Sequence, residues 1–494
     1  MINFTLKQAL KHSKKYNVIP LYRETLADLE TPLSAYMKID NPEYSFLLES
    51  VEGGENVARY SYISREPFGT VEYKDGVMKK RFGKKEEVIE TRDPLGELKR
   101  MFGKYRVAPV PGLPARGGAV GFVGYDVAKL YNKVPSRPQK DTIRWPDMFF
   151  MFTDVLLVFD HVSHKIKVVY CLFTGENDTR AAIAAKYRKG VEAIARIIKG
   201  LREPLKPGAA KGRKTAVKIR SHTTKNVFKK KVADTVKLIK NGEAIQVVIS
   251  RRFSAATTAE PLEIYRKLRV INPSPYMHYL RFGENVIIGA SPEVMIKVEG
   301  GKAMVRPIAG TRKRGASAEE DRRLEKELLS DEKERAEHVM LIDLGRNDIG
   351  KVSKTGTVSV DDLMAVEKYS HVMHIVSGVT GTLKKNMDAF DAFKAVFPAG
   401  TVSGAPKVRA MQIIDEFEDE KRGPYSGAVG YISYSGSLNT CISLRSVYYK
   451  NKTAYMQAGA GIVADSKPEA EHRETLNKAG AVFKAVIEAG NEDE

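Results

Sequence analysis

The sequence predicts a fold of the α+β class that is rich in antiparallel hairpins, with helices between the hairpin segments. Apolar runs separated by short turns predict strands at residues 149–160, 164–173, 426–434, 440–450 and 453–463, and a hairpin at residues 286–311 that turns at Gly300 and Gly301. Helical spacing is found at residues 179–200 and 225–241. Strands that follow one another through tight turns pair in antiparallel fashion.

The first third of the chain contains two segments with a structural interpretation. Residues 44–51 are a short apolar run that ends in Glu49 and Ser50, which predicts a buried strand leading into a hairpin. Residues 117–127 are rich in glycine but lack the GxGxxG spacing of a dinucleotide site. Close backbone packing therefore explains this second segment better than phosphate binding does.

Four candidate site residues lie in the middle of the chain. Gln246 falls in a predicted buried strand, where the pattern fits a structural hydrogen bond as well as a site residue. Glu293 closes the sequence GASPE where a strand should begin. Gly310 and Thr311 end a predicted turn of small residues, which can offer backbone N–H groups and a hydroxyl to an anion.

Two acidic helices are predicted at residues 330–350 and 466–480, and the first is apolar nearly all round, as a buried helix would be. Each carries two glutamates one turn apart, Glu334 with Glu337 and Glu471 with Glu474. Two such pairs fit a hard divalent cation whose octahedron is completed by water and substrate. The alternatives are a helix cap at Glu334 and a solvated salt-bridge stripe with Lys478.

Two features near the C-terminus favour an anionic ligand. Arg445 lies in the middle of a predicted strand, where a half-buried guanidinium needs a carboxylate partner, either from a ligand or from a structural ion pair. Residues 459–464 satisfy GxGxxA, but no helix opens within the motif and no second parallel strand follows, so a dinucleotide site is excluded. Closely approaching N–H groups for a carboxylate remain compatible with this loop.

Composition is ordinary for a large globular chain of 494 residues, with 43% hydrophobic and 29% charged residues. No apolar run approaches the about 20 residues of a membrane-spanning helix, and the N-terminal residues lack a signal-peptide pattern, so we expect a cytoplasmic protein without a membrane partner. Cys171 and Cys441 are far apart in sequence, which argues against a disulfide framework or a zinc site.

The formal net charge of +20 raises the alternative of a basic nucleic-acid-binding protein. Residues 206–232 hold ten Lys or Arg and no acid, which is half of the excess. They lack aromatic residues interleaved to stack bases, so a basic interdomain linker at residues 206–224 is the better interpretation, and we expect no nucleic-acid partner.

Twelve motifs in one order resemble the chorismate-utilising enzymes, and among them the aminase subunits of anthranilate synthases. They are LLES, GGAVGFVGYD, QVVISRRF, NPSPYM, GASPE, PIAGTR, DEKERAEHVMLIDLGRND, MHIVSGVTG, FPAGTVSGAPKVRAM, PYSGAVGY, SLRS and QAGAGIVADSKPEAEHRET. The resemblance implies two large antiparallel sheets packed face to face with helices outside. It also implies a tryptophan-binding regulatory portion at residues 1–205 and a chorismate-binding catalytic portion at residues 225–494, which interleave in the family fold.

The same resemblance implies the roles of the site residues. Mg²⁺ would be bound by Glu337 and Glu474, with Glu334 and Glu471 acting through water. The residues expected to bind the substrate are Gly310, Thr311, Thr401, Tyr425, Arg445, Gly459, Ala460, Gly461 and Lys478. Glu293 would protonate the departing C4 hydroxyl of chorismate while ammonia adds at C2, and His374 would contribute to the aromatising step that releases pyruvate.

Two positions separate this chain from sister enzymes in the family. Relatives that add water carry a lysine base where Gln246 stands, so we place Gln246 among the catalytic residues of an ammonia-using enzyme. Aminodeoxychorismate synthases of folate biosynthesis, the alternative within the family, typically carry a lysine nucleophile where this chain has Ala309.

The resemblance also implies regulation and a partner. A feedback site for tryptophan would be formed by Glu49, Ser50, Pro275, Tyr276 and Met277. The chain lacks a Cys/His glutaminase motif, so ammonia from glutamine would be delivered by a separate glutaminase subunit. The expected activity is the first committed step of tryptophan biosynthesis.

Overall fold

The protein is described by a computed structural model that covers residues 1–39, 43–50, 59–135, 137–205, 217–369 and 372–491. Within these ranges the strands form two large sheets. Every pair of neighbouring strands within each sheet is antiparallel. The predicted linker at residues 206–224 lies largely outside the described residues. No helix in the described ranges is both long and apolar enough to cross a membrane.

The first sheet joins strands from both ends of the sequence. Its order is β1 (Val18–Leu26), β10 (Lys165–Phe173), β9 (Val155–Asp160), β3 (Tyr60–Arg65), β2 (Tyr44–Glu49), β13 (Tyr276–Phe282), β14 (Asn285–Ser291), β23 (Ser446–Lys450), β24 (Thr453–Ile462), β12 (Gln246–Ala256) and β11 (Arg220–Ser221), with β20 (Gly404–Ala405) also paired to β12. The pairing of β2 with β13 makes this sheet common to the two predicted portions of the chain.

The second sheet is also composed of strands from both portions. Its order is β17 (Ile308–Lys313), β19 (Val372–Thr382), β16 (Lys302–Val305), β15 (Val294–Glu299), β22 (Leu438–Ile442), β21 (Ala428–Ser433), β7 (Gly118–Val123), β8 (Met148–Thr153), β4 (Gly69–Lys74), β5 (Val77–Phe82) and β6 (Lys85–Glu90), with β18 (Ser359–Lys368) paired to β19. Glycines allow the close strand approach predicted for residues 117–127, because a Cβ at Gly121 would lie 1.9 Å from the Phe149 carbonyl oxygen.

The helices lie on the outer faces of the two sheets. They are α1 (Leu6–His12), α2 (Pro32–Ile39), α3 (Pro94–Phe102), α4 (Arg180–Leu201), α5 (Lys225–Lys240), α6 (Pro261–Ile271), α7 (Ala318–Ser330), α8 (Glu332–Val352), α9 (Ala389–Val396), α10 (Gly400–Ser403), α11 (Lys407–Phe417) and α12 (Pro468–Asn491). Several begin at side-chain caps, such as Thr179 before α4 and Asp331 before α8.

Three apolar clusters confirm the predicted layers. One lies between the sheets and combines Phe46 and Ile287 of the first sheet with Phe122 and Val429 of the second. The other two lie on the outer faces, where the helices pack against the sheets. The α+β class with two sheets packed face to face and helices outside is therefore confirmed.

Two predicted strands are wrong because the chain passes from one sheet to the other within them. Residues 149–160 form β8 in the second sheet and β9 in the first, and residues 440–450 divide into β22 and β23 in the same way. Arg445 therefore lies at the junction between two strands, with a left-handed φ of 50°, and not in the middle of one strand. Glu293 lies at a comparable junction between β14 and β15.

Helix α8 differs from the predicted buried helix. Its inner face is buried at His338, Leu341 and Ile342, whereas Val339 is 45% exposed. The helix is amphipathic and lies at the surface, because only one of its faces packs on β17 and β19.

Candidate active site

A cavity of about 480 Å³ lies where helices α8 and α12 meet strands of both sheets, and the described residues that line it all come from position 246 onward. The lining contains these predicted site residues: Gln246, Glu293, Gly310, Thr311, Glu334, Glu337, His374, Thr401, Tyr425, Arg445, Gly459, Gly461, Glu471, Glu474 and Lys478. Residues distant in sequence thus converge on one cavity.

Ala460 is the predicted site residue that does not line this cavity. It is fully buried in an apolar cluster with Val247, Ile249 and Ile462. Successive residues of a strand point to opposite faces, so Gly459 and Gly461 face the cavity while the Ala460 side chain faces away from it. The predicted role of Ala460 in binding the substrate therefore does not involve its side chain.

Glu293 is buried at the junction of β14 and β15, with 8% of its surface exposed. Burial raises the pKa of its carboxyl group to about 8, although the nearby Thr401 hydroxyl, Arg445 and Lys478 act in the opposite direction. The Thr401 Oγ1 is itself buried without a hydrogen-bond partner among the described residues. Near neutral pH, Glu293 can therefore donate a proton inside the cavity.

Arg445 provides a positive charge at the opposite junction, between β22 and β23. It forms no ion pair within 4.0 Å in the described part of the chain. Burial lowers the pKa of its guanidinium from the ordinary value, while Tyr425, Glu474 and Glu293 favour the charged form. An unpaired guanidinium that lines a cavity is suited to bind a ligand carboxylate through two parallel N–H donors.

His374 is held in one tautomer by the backbone of β17. Its Nδ1 lies 3.0 Å from the Gly310 carbonyl oxygen, and it also lies 3.0 Å from the Thr311 hydroxyl. Because a carbonyl can only accept, Nδ1 carries the hydrogen and Nε2 keeps a free lone pair. Burial lowers the pKa of His374, so its imidazole is neutral and able to accept a proton.

The glycines of the site bring backbone close to the cavity. The predicted turn at residues 307–311 is instead strand β17, with a bulge between Ala309 and Thr311. Gly310 adopts the left-handed φ of 61° at this bulge, which only glycine adopts without strain. At Gly459 a Cβ would lie 3.1 Å from the Ile249 carbonyl oxygen and 3.1 Å from the Tyr425 hydroxyl.

The four glutamates of α8 and α12 line one side of the cavity and are only partly neutralised by protein groups. Glu337 accepts a hydrogen bond from Gln246 Nε2 at 3.1 Å, and Glu474 pairs with Lys478 at 2.5 Å. Burial raises the pKa of Glu334 and of Glu471, and the neighbouring glutamate in each pair raises it further. The Glu471 Oε2 is buried without a partner among the described residues.

These carboxylates fit Mg²⁺ in their chemistry. They are hard oxygen donors whose mutual repulsion a cation would relieve, and Mg²⁺ typically keeps several water or substrate ligands beside one or two protein carboxylates. Within the described ranges, however, no three acidic or other metal-binding side chains converge into a ready cluster. The arrangement therefore fits an ion that is bound together with its substrate better than an all-protein cage.

Two residues at the site, Arg312 and Gln457, were not identified from the sequence. Arg312 forms ion pairs with Glu334 and Asp331, at 3.2 and 2.8 Å, and so orients the start of α8. Gln457 lines the cavity beside Gly459 and donates to the Ser250 hydroxyl at 2.8 Å. Both lie in quoted motifs, which were the available signal: Arg312 ends PIAGTR, and Gln457 begins QAGAGIVADSKPEAEHRET.

A second cavity of about 350 Å³ lies at the seam between the two portions of the chain. The five predicted inhibitor residues all line it: Glu49, Ser50, Pro275, Tyr276 and Met277. Its walls also contain Tyr60, Tyr62 and Tyr431. Aromatic walls with a few polar groups are typical of a site for a small amphipathic ligand.

The charged groups of the second cavity are paired within the protein. Glu49 accepts hydrogen bonds from the Tyr265 hydroxyl at 2.5 Å and from Arg269 Nε at 3.1 Å. Lys297 pairs with Glu299 at 2.9 Å. This cavity can bind a ligand. Its lining also holds His278, whose buried Nε2 has no hydrogen-bond partner among the described residues and whose pKa is lowered by burial to about 4.

Comparison with known proteins gives a consistent result. The family described as chorismate binding enzyme matches residues 43–484. Anthranilate synthase component 1 of Acetivibrio thermocellus is 49% identical over 492 residues, which are 98% of this chain and 99% of the relative. The same component of Aquifex aeolicus is 46% identical over 498 residues, with 98% of each chain covered.

A solved structure is similar over nearly the same length. The crystal structure of anthranilate synthase component I from Streptococcus pneumoniae superposes with a TM-score of 0.77 at 39% sequence identity. The match covers 93% of this chain and 98% of the Streptococcus pneumoniae chain.

Proposed function

The chain belongs to the family of chorismate-binding enzymes, and from that premise we propose that it is the aminating component of an anthranilate synthase. The reaction converts chorismate and ammonia to anthranilate, pyruvate and water. The observation that carries this proposal is the combination, in one cavity, of the buried acid Glu293 and the unpaired cation Arg445.

Chorismate carries two carboxylates, and the cavity offers separate groups for them. Arg445, Lys478 and the Tyr425 hydroxyl provide donors on one side, together with backbone near Gly459 and Gly461. Mg²⁺, held by Glu337 and Glu474 with Glu334 and Glu471 acting through water, would supply positive charge to the ring carboxylate. Thr401 and His374 line the remaining wall, beside the ring.

Two proton transfers are assigned to residues of the chain. When ammonia forms a bond to C2, the C4–O bond breaks, and Glu293 donates the proton with which the hydroxyl leaves as water. The ammonium group formed at C2 gives up a proton, which restores the acid. Loss of the C2 ring proton then accompanies cleavage of the C3–O bond, and we assign its removal to the free Nε2 of His374; the methyl group of pyruvate gains one proton in return.

The lining of the cavity favours amination over related chemistry. Gln246, whose amide donates to Glu337, occupies the position at which water-adding relatives have a lysine base. Ala309 lines the cavity where aminodeoxychorismate synthases typically carry a lysine nucleophile. Because neither position carries a lysine, position 246 provides no base to activate water and position 309 provides no amine nucleophile.

The proposal includes a partner and an inhibitor. The relatives are named as a first component, so we propose a glutaminase subunit that supplies ammonia from glutamine. We also propose that tryptophan binds in the second cavity, with its ammonium group at Glu49 and its indole ring between Tyr276 and Met277.

Product analysis tests this function. The purified chain is incubated with chorismate, Mg²⁺ and ammonium at mildly alkaline pH, and products are separated and followed by anthranilate fluorescence. We expect anthranilate with ammonium and no product with glutamine alone, and we expect tryptophan to suppress the rate. Aminodeoxychorismate as the product would assign the chain to folate biosynthesis, and isochorismate would show that water is the nucleophile.

A further inference from the structure

A buried ion pair lies behind the active-site cavity without lining it. Arg422 is 1% exposed and Glu418 is 7% exposed. The guanidinium donates through Nε to one carboxylate oxygen at 2.8 Å and through Nη2 to the other at 2.7 Å. Burying two charges is costly even when they are paired, so such a pair is weak evidence for stability and calls for another explanation.

The remaining donors of Arg422 bind the backbone of residues that do line the cavity. Nη1 donates to the Val402 carbonyl oxygen at 2.7 Å, and Nη2 donates to the Val248 carbonyl oxygen at 2.7 Å. A third contact joins Nη1 to the Ser426 hydroxyl at 3.3 Å. With the two bonds to Glu418, all five N–H groups of the guanidinium are used.

The carboxylate extends the same network to a further wall of the cavity. Glu418 Oε1 accepts hydrogen bonds from the backbone N–H of Ser250 at 2.8 Å and from its hydroxyl at 2.9 Å. The Ser250 hydroxyl in turn accepts from Gln457, which lines the cavity. The guanidinium also lies 5.7 Å from the ring centre of Tyr425.

We propose that Arg422 and Glu418 form a positioning pair that sets the shape of the chorismate pocket. Val402 directly follows Thr401 in the short helix α10, so the bond to the Val402 carbonyl fixes the helix that carries the Thr401 hydroxyl beside Glu293. The same guanidinium fixes β12 through Val248, so the two walls are held at a constant separation. The inference rests on the proposed function only in that the cavity binds chorismate.

A lysine at position 422 cannot do the same. It has three donors on a flexible stem, so it cannot bind Glu418, Val402 and Val248 together in a fixed plane. A displacement of about 1 Å in a catalytic wall costs about 100-fold in rate. Arg422→Lys should therefore lower kcat/KM for chorismate by about 100-fold while the chain stays folded.

A double-mutant cycle with Thr401→Val separates positioning from a general loss of stability. If Arg422 acts by placing Thr401, the Thr401→Val change should cost at least about 10-fold in the wild-type background and less than about 3-fold in the Arg422→Lys background. Rates are followed as chorismate consumption, so the cycle can be measured whichever product forms.

The matched control is an ion pair on helix α11, which ends directly before Glu418. Asp415 of α11 pairs with Lys129, and neither residue lines the cavity. Asp415→Asn should leave kcat/KM within about 3-fold of wild type and should be additive with Thr401→Val.

Additive effects of Arg422→Lys and Thr401→Val would overturn the proposal. Should Arg422→Lys fail to fold, Ser250→Ala removes a contact of Glu418 with a smaller change, and it must show the same non-additivity with Thr401→Val. If the wild type consumes no chorismate, the proposed function is wrong, and the cycle is then measured as chorismate binding by calorimetry, in which additivity again rejects the positioning pair.

Discussion

The two large cavities of this protein differ in how their charges are balanced. In the active-site cavity Arg445, Glu337 and Glu471 form no ion pair within the described part of the chain. In the second cavity Glu49 and Lys297 are each paired with a protein group. The first cavity therefore has charged groups that are available to a charged substrate, whereas Glu49 and Lys297 of the second cavity are already paired within the protein.

The cavities also differ in which portions of the chain build them. The active-site lining begins at residue 246 and belongs wholly to the predicted catalytic portion. The second cavity combines residues 48–50, 59, 60 and 62 and Pro114 with residues from position 275 onward. A ligand in this cavity would contact residues of both predicted portions of the chain.

The largest effect should come from Glu293→Gln, which removes the acid of the first cavity. We expect kcat to fall about 1,000-fold, because general acid catalysis contributes about 10² to 10⁴, while KM for chorismate changes little. The measurement is steady-state anthranilate formation with ammonium. Glu299→Gln, which changes an acid of the second cavity, is the control and should retain kcat; a Glu293→Gln enzyme within 10-fold of wild type would remove Glu293 from the mechanism.

Arg445→Met should mainly weaken substrate binding. A charge-assisted hydrogen bond contributes about 1.5–3 kcal/mol, so we expect KM for chorismate to rise about 10- to 100-fold. Arg445→Lys should fall between wild type and Met, because it keeps the charge but loses the two-pronged geometry. An unchanged KM in Arg445→Met would show that the guanidinium does not contact chorismate.

The carboxylates of α8 and α12 should control the dependence on Mg²⁺. Glu471→Gln is expected to raise the Mg²⁺ concentration for half-maximal rate by about 10- to 100-fold, the range found for residues that support a metal through water. Calorimetric titration of Mg²⁺ in the presence of chorismate provides a readout apart from activity. Glu332→Gln on the exposed face of α8 is the control and should behave as wild type.

Glu49→Gln should affect the second cavity alone. Tryptophan inhibition should weaken about 10-fold because the ligand ammonium loses a charged partner, while uninhibited kcat stays within about 2-fold. Inhibition curves at fixed chorismate provide the measurement. If Glu49→Gln reduced the uninhibited kcat by as large a factor as it weakened tryptophan inhibition, the second cavity could not be assigned to inhibition alone.

The smallest effect is on stability and depends on pH. Because the folded pKa of Glu293 is raised from 4.5 to about 8, the folded state holds the proton more tightly than the unfolded chain, so rising pH destabilises the protein between these values. The Glu293→Gln variant has no carboxyl group to deprotonate and so does not lose this stability. Its melting temperature minus that of the wild type should therefore increase as pH rises from about 5 to 8. A constant difference across that range would mean that the Glu293 pKa is not raised.

The sequence predicted several hairpins, four of the described helices and, with the family resemblance, 15 of the residues that line the active-site cavity, but for different reasons. Local patterns identified strands and helices, whereas the roles of His374 and Thr401 came only from family resemblance. The junctions at Asp154 and Arg445 were missed because the partner sheet of each half-strand is set by contacts distant in sequence, and an apolar run looks the same on both sides of a junction.

Smaller errors have equally physical causes. A bulge at Gly310 looks like a turn in sequence, because glycine serves both. The buried pair of Arg422 and Glu418 had no pattern to mark it, since two residues four positions apart next to a helix end usually form a surface ion pair.

Tryptophan binding to the Arg445→Met variant tests most directly whether chorismate and tryptophan bind in different cavities. The variant is titrated with tryptophan by calorimetry beside wild type, and its anthranilate formation is measured in the same preparation. We predict an unchanged tryptophan Kd together with a strongly raised KM for chorismate. Loss of tryptophan binding in this variant would place the inhibitor in the active-site cavity and contradict the account.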